Sequence, residues 1–139
     1  MPRLMSVSRT VAGVVERRKD VTRRLGWWTN SRGRRLLWPG DQLTLCPKVQ
    51  GRRHRDGTLE PLERLAEVEV LDVRREPLTA ITDEEIAREC VPRCNFEVVY
   101  RETNQPAPEE WVRWFCEAMG VRPDVLITRI EWRYLDEAQ

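Results

Sequence analysis

Lysine is scarce in this chain of 139 residues: only Lys19 and Lys48 carry an amine side chain, and the other 22 of the 24 basic residues are arginines. A strongly GC-rich genome produces such a bias without functional pressure, but that does not explain a lysine kept inside the stretch RRKDVTRR, residues 17–24. Arginine stays charged in proteins, whereas a lysine amine can lose its proton when it is buried or crowded by like charge. Lys19 is therefore a candidate for proton chemistry, with an ordinary surface cation as the alternative.

The sequence also lacks long apolar runs, and its first ten residues, MPRLMSVSRT, contain no apolar region of the kind found in signal peptides. A membrane-spanning helix needs about 20 consecutive apolar residues, so neither a membrane span nor secretion is expected. We expect a cytoplasmic protein. A chain of this length is also long enough to fold around one core, which predicts a single domain over residues 1–139.

Cysteine is present but without the spacing of a disulfide framework, so reduced thiols are expected at Cys46, Cys90, Cys94 and Cys116. Three of them could be imagined as a zinc site together with His54, the one histidine. Structural zinc sites usually pair their ligands as C-x2-C, whereas three residues separate Cys90 from Cys94. Buried small side chains explain these cysteines better. No metal and no cofactor are predicted.

Charge is divided unevenly along the chain. Residues 1–55 contain 14 basic and three acidic residues, a balance of +11, whereas residues 56–139 contain ten basic and 20 acidic residues, a balance of −10. A basic half suggests a polyanionic partner, of which phosphate backbones are the commonest. The alternative is that the two halves neutralise one another across the fold.

Period-two alternation predicts strands at residues 42–45, 66–70 and 126–134, with a short opening strand at residues 4–8, and KDVTRRLGWW, residues 19–28, is expected to be a loop that runs into a strand. Thr82 and Glu85 form a capping box, which predicts a helix from Asp83 that ends before Pro92. A second helix should begin at Pro108 and end at Gly120.

A third, weaker helix is expected over residues 9–17, with Ser8 as its cap and Gly13 weakening it. Several strands with two or three short helices indicate an α+β protein built around a curved sheet or barrel.

Five segments in this order resemble a known family: KDVTRRLGW, WPGDQLTL, REPLTAITDEEIARE, PEEWVRWFC and VLITRIEWRYL. Together they are similar to the ASCH domain, of bacterial or bacteriophage type, whose fold is a small barrel like that of the PUA RNA-binding domain. The resemblance therefore implies a PUA-like β-barrel with short flanking helices.

The resemblance also implies function. Family members with a lysine, a threonine three residues later and a glutamate on the helix after the long strand include amidohydrolases that deacylate the exocyclic amine of acetylated cytidine nucleosides. In this sequence the trio corresponds to Lys19, Thr22 and Glu89 as catalytic residues. Other members are reported as ribonucleases or treated as non-catalytic RNA-binding modules, so the implied partner is RNA or a modified nucleoside or nucleotide.

The residue chemistry is consistent with that trio. The cationic surroundings should lower the pKa of Lys19, so that its neutral amine can take a proton from Thr22 while Glu89 carries the proton to the leaving amine. The arginines Arg18, Arg23 and Arg24 would bind substrate, by holding a phosphate or stabilising an oxyanion.

Two alternatives remain open for these residues. Thr22 can be an ordinary strand residue, and Glu89 a surface carboxylate paired with Arg23 or Arg93. Positions three apart face opposite sides of a regular strand, so Lys19 and Thr22 converge only if the chain turns between them. Asp20 is either the residue of that turn or an ion-pair partner of Lys19.

The tryptophans near the basic loops, Trp27, Trp28 and Trp38, are candidates for stacking on bases, although core packing is expected for at least two of them.

Overall fold

The computed structural model describes residues 3–47, 55–58, 62–92, 96 and 105–136. Within these residues, five strands and three α-helices follow one another in this order: β1 (Arg3–Ser6), α1 (Val11–Val15), β2 (Val21–Arg24), β3 (Gln42–Cys46), β4 (Ala66–Pro77), α2 (Asp83–Glu89), α3 (Pro108–Met119) and β5 (Leu126–Tyr134). A single 3₁₀ turn, Leu78–Ala80, links β4 to α2. The predicted α+β class is confirmed.

The strands form one sheet in the order β1-β3-β4-β5-β2. β1 runs parallel to β3, and the other neighbours are antiparallel. The predicted barrel is wrong in one respect: the sheet is not closed, and within the described residues no backbone pairing joins β1 to β2. Each of these edge strands is only four residues long, and the carbonyl of Ser6 on β1 accepts a hydrogen bond from the side chain of Arg24 on β2 instead of from a backbone N–H.

Two groups of buried apolar side chains cover the two faces of the sheet. The larger group includes Val68 and Val70 of β4 with Ile130, Trp132 and Tyr134 of β5. The second group lies under the helices and includes Ile86 of α2, Trp111, Val112 and Phe115 of α3, and Ile127 of β5. β5 therefore departs from strict alternation, because residues 127–130 are all buried between the two groups.

Helix α2 begins as predicted, since the Thr82 hydroxyl accepts a hydrogen bond from the backbone N–H of Glu85. The predicted box is only half formed, because the Glu85 carboxylate contacts Arg23 and Arg129. Helix α3 also has its predicted bounds, and Gly120 ends it in the left-handed conformation at a φ of 67°.

Helix α1 is shorter than predicted, because it begins after Thr10, two residues beyond the expected cap Ser8, and spans only five residues. Tertiary packing explains why position 13 is a glycine although glycine weakens a helix. A Cβ placed there would lie 2.6 Å from the Cβ of Cys90 and 3.3 Å from that of Lys19. The helix thus needs glycine where it crosses the end of α2.

Candidate functional site

Lys19 and Glu89 meet at the end of helix α2. The Lys19 Nζ donates to the backbone carbonyl of Glu89 at 2.8 Å and contacts its carboxylate Oε1 at 3.2 Å. Both side chains are buried, Lys19 being only 1% exposed. The amine therefore occupies the negative C-terminal end of the helix as well as pairing with its last residue.

The backbone around Lys19 is fixed by the neighbouring elements. Its N–H donates to the carbonyl of Gly13 in α1, and its carbonyl accepts hydrogen bonds from the Trp132 indole, at 3.1 Å, and from the Tyr134 hydroxyl. These contacts direct the side chain inward toward α2. Trp132 and Tyr134 were not predicted as site residues, because nothing in their local sequence indicates a contact with a residue more than 110 positions away.

Thr22 lies on β2 and lines the same cavity as Lys19 and Glu89. Lys19 and Thr22 can face the same cavity because they do not lie on one regular strand. Lys19 precedes β2, which begins only at Val21. In the part of the chain that the structure describes, the Thr22 hydroxyl has no hydrogen-bond partner. It is therefore available to a ligand.

Arg23 is engaged by carboxylates and not left free for a ligand. Its Nη1 contacts Glu89 at 2.9 Å, and its Nη2 contacts Glu85 at 2.9 Å and Glu76 at 3.1 Å. The sequence left open whether Glu89 pairs with Arg23 or with Arg93. The structure shows the pair with Arg23, and that pair is buried and not at the surface. Arg93 lies outside the described residues. The geometry makes Arg23 a residue that orients the Glu89 carboxylate.

Arg24 differs from Arg23 because no carboxylate contacts it among the described residues. Its guanidinium donates to the Ser6 carbonyl and is otherwise open to the cavity that it lines. Burial lowers the pKa of Arg24, and the charge of Glu89 opposes that shift. An arginine so placed is a ready partner for an anion.

Arg18 does not join the cluster. Its side chain is exposed and pairs with Glu16 at 2.6 Å, and it is not among the residues that line the cavity. Asp20 pairs with Arg88 at 2.8 Å, and Lys19 keeps Glu89 as its carboxylate partner.

The charge state of Lys19 follows from its burial. Burial lowers the pKa of the Lys19 amine, the carboxylate of Glu89 opposes that shift, and the charge of Arg24 adds to it. The nearby positive charge therefore makes only a lesser contribution to the lowered pKa of Lys19, and the main cause is that burial removes water from the amine. A neutral amine is accessible to Lys19 at lower pH than to an exposed lysine.

The cavity has a volume of about 250 Å³ and lies in the gap where β1 and β2 fail to pair. One side of it is polar and carries the residues described above. The other is apolar and is formed largely by Trp111, Trp114 and Phe115 of α3. The Trp111 ring contacts both of the others, with its centroid 5.5 Å from that of Trp114 and 5.6 Å from that of Phe115.

Two buried N–H groups, Arg23 Nε and Trp111 Nε1, belong to residues that line this cavity and have no hydrogen-bond partner among the described residues. The sequence assigned Trp111 to the core, because its position on the apolar face of α3 indicates packing. An unsatisfied buried donor is costly to the fold.

No group of three or more metal-ligating side chains is present within the described residues. Cys94 and His54, from the zinc pattern considered above, lie outside them. Cys46, Cys90 and Cys116 are free thiols, and Cys46 is fully buried. No helix in the described part of the chain is long and apolar enough to cross a bilayer.

Solved structures show what this architecture is similar to. A protein from Enterococcus faecalis V583, of the family DUF984, superposes with a TM-score of 0.61 at 15% sequence identity, over 100% of this chain and 85% of that one. An ASCH domain from Lactobacillus crispatus JV V101 superposes with a TM-score of 0.52 at 14% identity, over 90% of this chain and 69% of that one. The chain has an ASCH-like fold. No family model and no curated protein matches the sequence.

Proposed function

We propose that this ASCH-like protein is an amidohydrolase that removes an acyl group from the exocyclic amine of a cytidine-type nucleobase. The observation that carries the proposal is the convergence, in one cavity, of a buried lysine, an unpartnered threonine hydroxyl and a glutamate that contacts the lysine. These are the three groups that acyl transfer needs: a base, a nucleophile and a proton carrier.

In the proposed reaction, neutral Lys19 takes the proton of the Thr22 hydroxyl as its oxygen attacks the acyl carbonyl. Negative charge develops on the carbonyl oxygen, where the guanidinium of Arg24, which no carboxylate contacts among the described residues, can stabilise it. The proton then passes from Lys19 to the Glu89 carboxylate along their existing contact and on to the departing amine, as the C–N bond breaks. Water hydrolyses the threonine ester with Lys19 again as base, releasing the carboxylic acid.

The shape of the cavity supports a planar substrate of modest size. Its volume of about 250 Å³ lies just below the range of about 300–1,000 Å³ that is typical of ligand sites. On the aromatic side, the half-buried Trp114 offers ring surface to a nucleobase.

The decisive experiment compares wild type with Thr22→Val on cytidine acetylated at its exocyclic amine, with released acetate as the readout. Valine keeps the branched shape of threonine, so the fold should persist while turnover falls to background. Thr22→Ser should retain measurable turnover. Thr44→Val controls for the loss of a buried hydroxyl elsewhere, because Thr44 lies on β3 outside the cavity, where its hydroxyl donates to Glu67 at 2.8 Å.

Two other outcomes would replace the proposal. Absence of acetate release from folded wild type, with RNA binding that weakens steeply with salt, would indicate a non-catalytic RNA-binding module. Cleavage of RNA that is abolished in Lys19→Ala would indicate a ribonuclease that uses the same cavity. Equal turnover in Thr22→Val and wild type would exclude threonine as the nucleophile.

A further inference from the structure

A second cluster of aromatic and basic side chains lies in the segment between β2 and β3, residues 25–41. The Arg35 guanidinium stacks on two rings, 4.7 Å from the centroid of Trp28 and 4.1 Å from that of Trp38. We call these three residues the Trp38 platform. None of them lines the cavity described above.

The three predicted stacking tryptophans separate into two roles. Trp27 and Trp28 are partly buried and pack against the larger apolar core, as expected for at least two of the three. Trp38 is 54% exposed, although it is one of the largest apolar side chains of the protein. It therefore keeps a wide aromatic surface open to solvent.

The platform is held rigidly by the backbone around it. Arg35 donates to the carbonyls of Leu37, at 2.9 Å, and Val73, at 3.2 Å. The Trp38 backbone N–H donates to the Asp41 carboxylate at 2.9 Å, and the Asp41 N–H donates back to the Trp38 carbonyl. A preorganised ring loses little conformational entropy when a ligand stacks on it.

Arginines predominate among the charged residues of this segment, and Asp41 is its one acidic residue. Arg35 makes both of its hydrogen bonds to neutral carbonyls, and within the described residues no carboxylate pairs with it. Arg32 and Arg34 are exposed at the tip of the adjacent hairpin, also without an ion pair in the described part of the chain. The Asn30 side chain fixes that tip by accepting from the backbone N–H groups of both arginines.

We propose that the Trp38 platform binds single-stranded nucleic acid, with a base stacked on Trp38 and neighbouring phosphates contacted by Arg32 and Arg34. An exposed ring beside unpaired cations matches an unpaired base and its flanking phosphates. A duplex hides the faces of its bases and offers only phosphates. This site is separate from the cavity, so the proposal is independent of the amidohydrolase chemistry.

The experiment measures binding of a fluorescein-labelled oligouridine by anisotropy, with an oligothymidine and an RNA duplex of equal length as competitors. Trp38→Ala should weaken oligouridine binding about 5- to 150-fold, the reduction expected for one stacked base. Trp38→Phe should retain most of the affinity. The slope of log affinity against log salt should be unchanged in Trp38→Ala.

The paired variant Arg32→Ala/Arg34→Ala should instead reduce the salt slope by about 0.7 for each phosphate that the protein no longer neutralises. Arg113→Ala is the matched control, because Arg113 is an exposed cation on α3 outside the platform. Equal affinity of wild type and Trp38→Ala, or duplex binding as tight as single-strand binding, would overturn the proposal. Acetate release should be the same in Trp38→Ala and wild type, so failure of either proposal is visible separately.

Discussion

At the scale of single residues, the protonation state of Lys19 decides whether the cavity can do base chemistry. Burial lowers the pKa of this amine, while the adjacent Glu89 carboxylate favours the ammonium. The neutral form is the base in the proposed reaction. Turnover should therefore rise with pH through the lowered pKa of Lys19 and level off above it.

The scarcity of lysine allows that pKa to be measured directly. A protein labelled with ¹³C in lysine should give two side-chain signals, which Lys48→Arg assigns. We expect the Lys19 signal to titrate at lower pH than an ordinary exposed lysine amine does, and at the same pH as the inflection of kcat/KM. In Glu89→Gln the pKa of Lys19 should fall further, because the opposing charge is gone. An unshifted Lys19 pKa would remove the base from the mechanism.

At the scale of elements, helix α1 and the end of α2 cross so closely that the contact has no room for a side chain at position 13. A methyl group there would lie 2.6 Å from the Cys90 Cβ. Cys90 also has a φ of 58°, a left-handed conformation that glycine adopts without strain. Both positions thus favour small residues, and both adjoin Lys19.

We expect Gly13→Ala to lower the free energy of unfolding by about 1–3 kcal/mol, the usual cost of overpacking. Cys90→Gly removes the clashing atom, so Gly13→Ala should cost less in a Cys90→Gly background than in wild type. Chemical denaturation of the two single variants and the double variant measures this coupling. Additive effects would show that the two positions do not interact.

At the scale of the whole molecule, the two oppositely charged halves of the sequence neutralise one another in part. Arg23 pairs with three carboxylates of the acidic half, and Arg17 pairs with Asp136. Arg24, Arg32 and Arg34 have no such partner among the described residues. The basic and acidic halves of the chain therefore neutralise one another in part. The arginines without a carboxylate partner are the ones that we propose contact ligands.

Acid should unfold the protein, and Glu85 should account for part of that sensitivity. Burial disfavours ionisation of Glu85, but hydrogen bonds from Arg129 and Arg23 outweigh it and lower its pKa from 4.5 to about 2. The unfolded chain then binds a proton that the native protein does not, so this contribution to stability is present above pH 4.5 and is lost as the pH falls toward 2.

Glu85→Gln should be less stable than wild type at neutral pH and should lose less stability between pH 4.5 and 2. Unfolding by urea at several pH values measures both effects. Glu84→Gln changes an exposed neighbour on the same helix and serves as the control. If the stability of Glu85→Gln depended on pH as that of wild type does, other carboxylates would be responsible for the loss of stability in acid.

Sequence patterns were sufficient for the parts of the fold that depend on near neighbours. The start of α2 at Asp83, both ends of α3 and the alternation at residues 66–70 follow from capping residues and from one-sided burial, whereas a bulge between Val70 and Asp72 shifts the register of the rest of β4. Alternation failed in β5, where Arg129 is buried with its neighbours, because helices also cover the other face of the sheet. A strand covered on both faces carries no simple period.

By itself the sequence determined where most of the helices and strands form, α1 being the exception, and the resemblance to ASCH domains selected Lys19, Thr22 and Glu89. Only the tertiary structure decided that Arg23 is taken by carboxylates while Arg24 is free, and that β1 and β2 leave a cavity between them. The physical reason is range. Helix and strand signals act over a few residues, whereas Lys19 is desolvated and held by groups 70 to 115 positions away in the chain.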